Sequence, residues 1–139
     1  MSVPAYERTV SSVEFLKTAR DIEVNLVKMI VEKPKRYRFF YQRLIDISIE
    51  ILNNVKKGNS IYVETKAEAE LRMRYFKIAI ANLQALVSQI EILYHIFKDD
   101  GIKIEAVKLL SNDISREIAL LQGALKNCRL KYKNLLQSK

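Results

Sequence analysis

The side chains that do most enzymatic chemistry are scarce in this chain, which has one histidine, His95, and one cysteine, Cys128. A nucleophile needs a base within hydrogen-bond reach, and a zinc site needs three or four His, Cys or carboxylate ligands at close spacing. His95 and Cys128 fall on different predicted helices, and neither has such company. His95 sits near the end of the third helix, roughly on its polar side. Cys128 takes a heptad core position, where a small buried apolar residue is expected. No glycine-rich phosphate loop exists. Glu68 and Glu70 fall in the first turns of the third helix, where the helix dipole favours acids without any chemistry. The chain reads as a non-enzyme, with no catalytic residue, no metal and no cofactor.

The basic residues are more informative. Lys and Arg total 24 against 16 Asp and Glu, a net charge of +8 with a pI near 9.6. Such an excess favours phosphate-rich partners or anionic membranes. Lys33, Lys35, Arg36, Arg38 and Arg43 crowd the predicted start of the second helix, with Tyr37, Phe39, Phe40 and Tyr41 interleaved. Cations at a helix N-terminus oppose the macrodipole by roughly 0.3–1 kcal/mol each. Concentrating them there makes an anion site, to which free backbone N–H groups add. Arg can grip phosphate with two bonds, and an aromatic ring can stack on a base. The alternative is a solvated positive corner whose aromatics are anchored in the core. A second cluster is Lys126, Arg129, Lys131 and Lys133; Lys126, Arg129 and Lys133 follow steps of three and four along one helix face. Here a helix C-terminus favours cations anyway, so a solvated face explains them with equal economy. Arg72, Arg74 and Lys77 are expected toward the same end of the molecule as this second cluster. A basic amphipathic helix can also lie on a membrane, but the heptad pattern of all four segments favours mutual burial.

These residues must be carried by helices. With 3 glycines and 2 prolines in 139 residues, long uninterrupted helices are favoured over a turn-rich β fold. Residues 1–10 read as a tail and 11–139 as one domain. Ser11 to Glu14 has the form of a capping box. Beyond it Phe15, Ala19, Ile22, Leu26 and Met29 form one apolar stripe. Pro34 separates this helix from the next, whose stripe is Phe40, Leu44, Ile47, Ile51 and Val55, flanked by Tyr41, Ile45, Ile49 and Leu52. Gly58-Asn59 is expected to stop that helix with a left-handed residue. Thr65 to Glu68 is a second capping box, and Phe76, Ala79, Leu83, Leu86, Ile90, Leu93 and Phe97 keep heptad spacing up to the break at Asp99-Asp100-Gly101. The fourth helix runs from about Lys103 to the C-terminus on Val107, Leu110, Ile114, Ile118, Leu121, Leu125, Cys128, Tyr132 and Leu135. Gly123 within it suggests a close helix approach. The fold class expected is all-α, an antiparallel up-down-up-down four-helix bundle. Apolar residues beyond one stripe per helix favour self-association.

A single cysteine excludes an internal disulfide and fits a cytoplasmic protein. Met1 to Arg8 lack a signal peptide's apolar run. No stretch of about 18 uncharged apolar residues occurs, so no bilayer-spanning helix is expected.

The run from Lys33-Pro34-Lys35-Arg36-Tyr37-Arg38-Phe39-Phe40-Tyr41-Gln42-Arg43-Leu44, continued by Asn53-Asn54-Val55, Asn59-Ser60-Ile61-Tyr62, Arg72, Arg74, Tyr75-Phe76 and Leu83-Gln84-Ala85-Leu86, resembles the accessory variability determinant family. Those are the helper proteins of diversity-generating retroelements. It also resembles the wider four-helix-bundle family encoded in ribosomal RNA intervening sequences. The likeness spans most of the first three helices and weakens in the fourth. Lys33 departs from the pattern, which more often has an apolar or aromatic residue before the proline. The resemblance implies a ring-like homopentamer, binding to a reverse transcriptase and its template RNA, and support of mutagenic retrohoming without catalysis. Carried onto matching positions, the family's basic surface falls on Lys35, Arg36, Arg38, Arg43, Arg72, Arg74 and Lys77; Lys126, Arg129 and Lys133 join them on charge alone. The expected partners are thus a reverse transcriptase, RNA or DNA, and further copies of the chain, with no membrane. The alternative is a structural interaction protein of the intervening-sequence type that ignores nucleic acid.

Overall fold

A row of apolar residues at alternating steps of three and four makes one side of a helix water-averse along its whole length, and four such rows are buried by facing each other. A computed structural model describes the backbone of residues 5–31 and 38–138 and the side chains of residues 14–31 and 38–138. Its elements are α1 (Ala5–Val31), α2 (Arg38–Ser60), α3 (Lys66–Phe97), a 3-10 turn (Lys98–Asp100), α4 (Ile104–Lys131) and a last short helix, α5 (Lys133–Leu136). Among the described residues there is no strand.

Each long helix packs on two neighbours: α1 on α2 and α4, and α3 on α2 and α4. This is the up-down bundle. Its direction is fixed by contacts at both ends. Phe15 on α1 meets Phe76 on α3 edge-to-face, with centroids 5.7 Å apart. At the opposite end Phe40 and Tyr41 on α2 meet Phe97 at 5.6 and 5.8 Å. Lys66 Nζ donates to the Ser138 carbonyl at 2.7 Å, which puts the end of the chain beside the start of α3. Midway along, Asn25 Nδ2 on α1 donates to Asp113 Oδ2 on α4 at 3.5 Å. The two ends are named below for Gly58 and Gly101.

α3 begins where the sequence indicates. Thr65 Oγ1 accepts from Glu68 N at 3.2 Å, and Glu68 Oε1 accepts from Thr65 N at 3.0 Å. A further bond from Glu64 N, the largest influence, holds the Glu68 carboxyl below its usual pKa. Its seven-residue row from Phe76 to Phe97 is buried throughout. Gly101, at φ 95°, turns the chain after Asp100, a conformation glycine takes without a Cβ clash.

Other expectations are corrected. Helix α1 starts at Ala5, so Ser11 to Glu14 lies inside a helix and residues 5–10 are no tail. In α2 the buried row is Tyr41, Leu44, Ser48, Ile51, Val55 and Gly58, while Phe40 is 50% exposed and Ile47 half-buried. The true row runs through two residues, Ser48 and Gly58, that do not look apolar. Gly58 is not a left-handed stop, since α2 continues to Ser60 and the only positive φ among the described residues is at Gly101. It is glycine for space: a Cβ there would lie 2.7 Å from Phe76 Cε1 and 3.3 Å from the Arg72 carbonyl oxygen. Gly123 makes no close approach, with nothing within 4 Å of a Cβ placed there. The α4 chain loosens at Tyr132, although bonds from Tyr132 N to Cys128 O and from Leu136 N to Tyr132 O, both 2.9 Å, carry the helical path onward. By length and composition Lys66–Asp100 is also long and apolar enough to cross a membrane, at mean hydropathy 1.3; its most apolar row is committed to the bundle.

The core holds one carboxyl group. Glu117, not Ile118, occupies the inward position between Ile114 and Leu121, and it is 0% exposed. Ser48 and Asn54 satisfy themselves on their own helix, through Ile45 O at 2.7 Å and Glu50 O at 2.9 Å. Neither oxygen of Glu117 has a hydrogen-bond partner among the described residues. An ionised carboxylate in that position is poorly solvated. Desolvation raises its pKa to about 8, against the opposing influence of Arg116 and of the Ala19 backbone on α1. The core therefore holds Glu117 largely as the neutral acid at pH 7.

Two outcomes follow from this packing. Gly58→Ala should lower stability by about 1–2 kcal/mol in a urea titration, since overpacking against a fully buried ring outweighs the helix propensity gained. For Glu117 the folded pKa lies above the ordinary 4.5, so its contribution is complete below that value and is lost as pH rises toward 8. Stability should fall with a slope of up to ~1.4 kcal/mol per pH unit across that window. Glu117→Met should flatten the slope and be the more stable protein at pH 8.

Candidate nucleic-acid interface

The candidate cations divide between the two ends of the bundle. At the Gly101 end, Arg38 and Arg43 on the first turns of α2 are exposed, and the first turn of that helix holds no acid. Lys35 and Arg36, with Lys33 and Tyr37, lie outside the described residues. The aromatics interleaved with them are not equivalent. Tyr41 is buried, Phe40 leans on Phe97, and Phe39 is 84% exposed with its ring edge-to-face on Phe40 at 5.7 Å. Phe39 thus offers a flat apolar face beside two guanidinium groups, the combination that stacks bases and holds their phosphates. Gln42 Nε2 donates to Asp46 Oδ1 at 2.9 Å, which occupies the nearest downstream acid of α2.

At the Gly58 end, Arg74 and Lys77 on α3 and Lys126, Arg129 and Lys133 on α4 and α5 are all exposed. Among the described residues none of these five is paired with an acid. α5 packs on α3 as well as on α4, which keeps the two groups of cations on adjoining helices. Lys131 is turned aside, its Nζ 5.5 Å from the centre of the Tyr132 ring. At 1.5 Å per residue, Arg74 lies roughly 35 Å along α3 from the level of Phe97. The two ends therefore cannot be one patch within a single chain.

Arg72 stands apart from its neighbours. Its Nη1 donates to the carbonyls of Gly58 at 3.0 Å and Asn59 at 3.4 Å, and its guanidinium carbon lies 5.1 Å from the centre of the Phe76 ring. Those carbonyls belong to the last turn of α2, which has no intrahelical donors left for them. Arg72 closes that turn against α3 and has a structural task where the resemblance implies a binding one. Its position two residues before Arg74 gave no sign of this, because its acceptors are supplied by another helix.

His95 and Cys128 remain without catalytic company. Cys128 is buried and free. His95 is exposed, its ring 6.0 Å from that of Tyr94, and it borders a shallow 410 Å³ groove between α3 and α4 with Glu91, Tyr94, Val107 and Lys108. Among the described residues no three His, Cys, Asp or Glu side chains converge to hold a metal ion. The feature that sequence reading missed is Glu117. Its signal was available: the steps of three and four from Ile114 to Glu117 to Leu121 are those of the core row.

No family model matches the chain, and no curated protein or solved structure is detectably similar to it. The resemblance drawn from the Pro34 segment and its continuation therefore rests on those residues alone.

Arg72→Ala should lower the melting temperature, by the equivalent of about 1–3 kcal/mol for two lost charge-assisted bonds and the packing on Phe76. RNA affinity measured well below that melting temperature should change little, whereas removal of the exposed Arg129 should weaken it.

Proposed function

We propose that the protein is a non-catalytic accessory factor that binds nucleic acid through its backbone phosphates and works beside a reverse transcriptase. The observation that carries the nucleic-acid part is the unpaired line of Lys126, Arg129 and Lys133, with Arg74 and Lys77 on the adjoining helix, in a chain of net charge +8. Cations left without acids keep their counterions and release them on meeting a polyanion, which is the main source of such affinity. Arg38, Arg43 and the exposed Phe39 supply a second contact, to which Lys35 and Arg36 are assigned by sequence. The reading favours single-stranded RNA or DNA, since a stacking ring needs an unpaired base. The reverse transcriptase, the mutagenic retrohoming it performs and a cytoplasmic setting come from the family resemblance.

A second reading has its own support. Ile92, Ile96, Leu109 and Leu130 are all more than half exposed, at 51%, 55%, 64% and 66%. Apolar side chains in solvent suit a protein that works through protein contacts, as a structural member of the intervening-sequence family would.

Fluorescence anisotropy with a labelled single-stranded RNA separates the two. The first reading expects binding at low salt and a steep loss as salt rises. Replacing Lys126, Arg129 and Lys133 together by Ala should reduce the slope of log affinity against log salt by about 2, at ~0.7 per phosphate contact on a single strand. Absence of binding at 50 mM salt, on the order of the lowest ionic strength used for such comparisons, would leave the structural reading in possession.

A further inference from the structure

The exposed side of α3 is uncharged from Ile78 to Ile90. Ile78, Ala81, Gln84, Ala85 and Ser88 all face outward along this stretch. A solvent-facing helix surface ordinarily carries charge, and this chain is 29% charged overall. Charge returns at both ends of the face in a definite order. Glu70, Lys77, Gln84, Glu91 and Lys98 recur every seven residues on one edge, and all five are exposed. Read in sequence they are acid, base, neutral, acid, base.

That order is its own complement when reversed. We infer that α3 is the contact helix of a two-fold pair with a second copy of this chain, antiparallel and centred near Gln84. In that register Lys77 meets Glu91 of the second copy and Glu70 meets Lys98 of the second copy, each twice by symmetry. On the other edge Ile78 and Ile92, 39% and 51% exposed, lie at equal distances from Ala85. Ile78 therefore meets Ile92 of the second copy. Between the edges, Ala81 and Ser88 come opposite one another, and their small side chains let the helices approach. The three rows share one register to within a residue of helix rise. Two copies of charge +8 repel over most of their surfaces, and this neutral strip with complementary edges is where they can meet. Glu91 and Lys77 are unpaired within the chain among the described residues, so the pair gives each an opposite charge. Lys126, Arg129 and Lys133 lie on other helices and stay outside the contact. The inference does not rest on nucleic-acid binding. It also implies an even number of subunits, unlike the ring of five that the resemblance implies.

The test is size-exclusion chromatography with light scattering on the full-length protein, with circular dichroism to check helicity. Wild type should show twice the 16.2 kDa of one chain. Lys77→Glu sets two acids together and Glu91→Lys sets two bases together, so each alone should weaken pairing by about tenfold or more. The doubly swapped variant, Lys77→Glu with Glu91→Lys, should recover the pair. A monomeric wild type, a mass five times that of one chain, or a pair indifferent to both single reversals would overturn the inference. So would a monomer that floats with vesicles of mixed phosphatidylcholine and phosphatidylglycerol, which would assign the neutral strip to a lipid surface.

Discussion

The buried row from Phe76 to Phe97 on α3 is the constraint to which the other helices conform. It spans the bundle from the Gly58 end to the Gly101 end and is closed at each by aromatic contacts, Phe15 on Phe76 and Phe40 and Tyr41 on Phe97. Fully burying a large apolar side chain contributes about 1.5–3 kcal/mol. A row of such residues on one helix therefore outweighs any local preference that opposes it. The glycine at position 58 and the guanidinium of Arg72 are both explained by Phe76: one makes room for its ring, and the other covers it while capping α2.

Within that apolar frame Glu117 is the discordant element. Replacing a buried charge by an apolar residue is often neutral or stabilising, so natural retention of an unpartnered acid in the core runs against stability alone. Its burial is enforced by its neighbours. Ile114 and Leu121 flank it on the core row of α4, and rotating the helix to free Glu117 would expose both. The protein tolerates the group by keeping its proton, which turns a prohibitive desolvation into a moderate one.

The same division between an apolar frame and a charged exterior shapes the functional reading. Most exposed cations are not recruited to hold the bundle together, and Arg72 is the exception because the carbonyls of a neighbouring helix end fall within its reach. The remaining cations sit at opposite ends of a long rod-like bundle, so a polyanion reaching both must span it or meet more than one copy. A neutral strip on α3 between charged edges gives further copies a place to meet without opposing like charges.

What the sequence determined by itself is everything whose cause lies within a turn or two of helix. The four apolar periods, the Thr65–Glu68 cap, the break at Asp99 to Gly101 and the unpaired cysteine all follow from residues three, four or seven apart. The cations of the candidate interface were legible for the same reason, as types and spacings on single helices. Tertiary structure decided what depends on how one helix is rotated against another. A rotation of one residue exchanges Phe40 for Tyr41 and Ile118 for Glu117 in the core, and the local period fits either choice almost equally well. It also decided that Gly58 is a contact and that Arg72 is a cap, because the atoms that make them so, Phe76 and the Gly58 and Asn59 carbonyls, come from across a helix boundary. Spacing along a chain fixes which faces are apolar, and only packing fixes which atoms those faces meet.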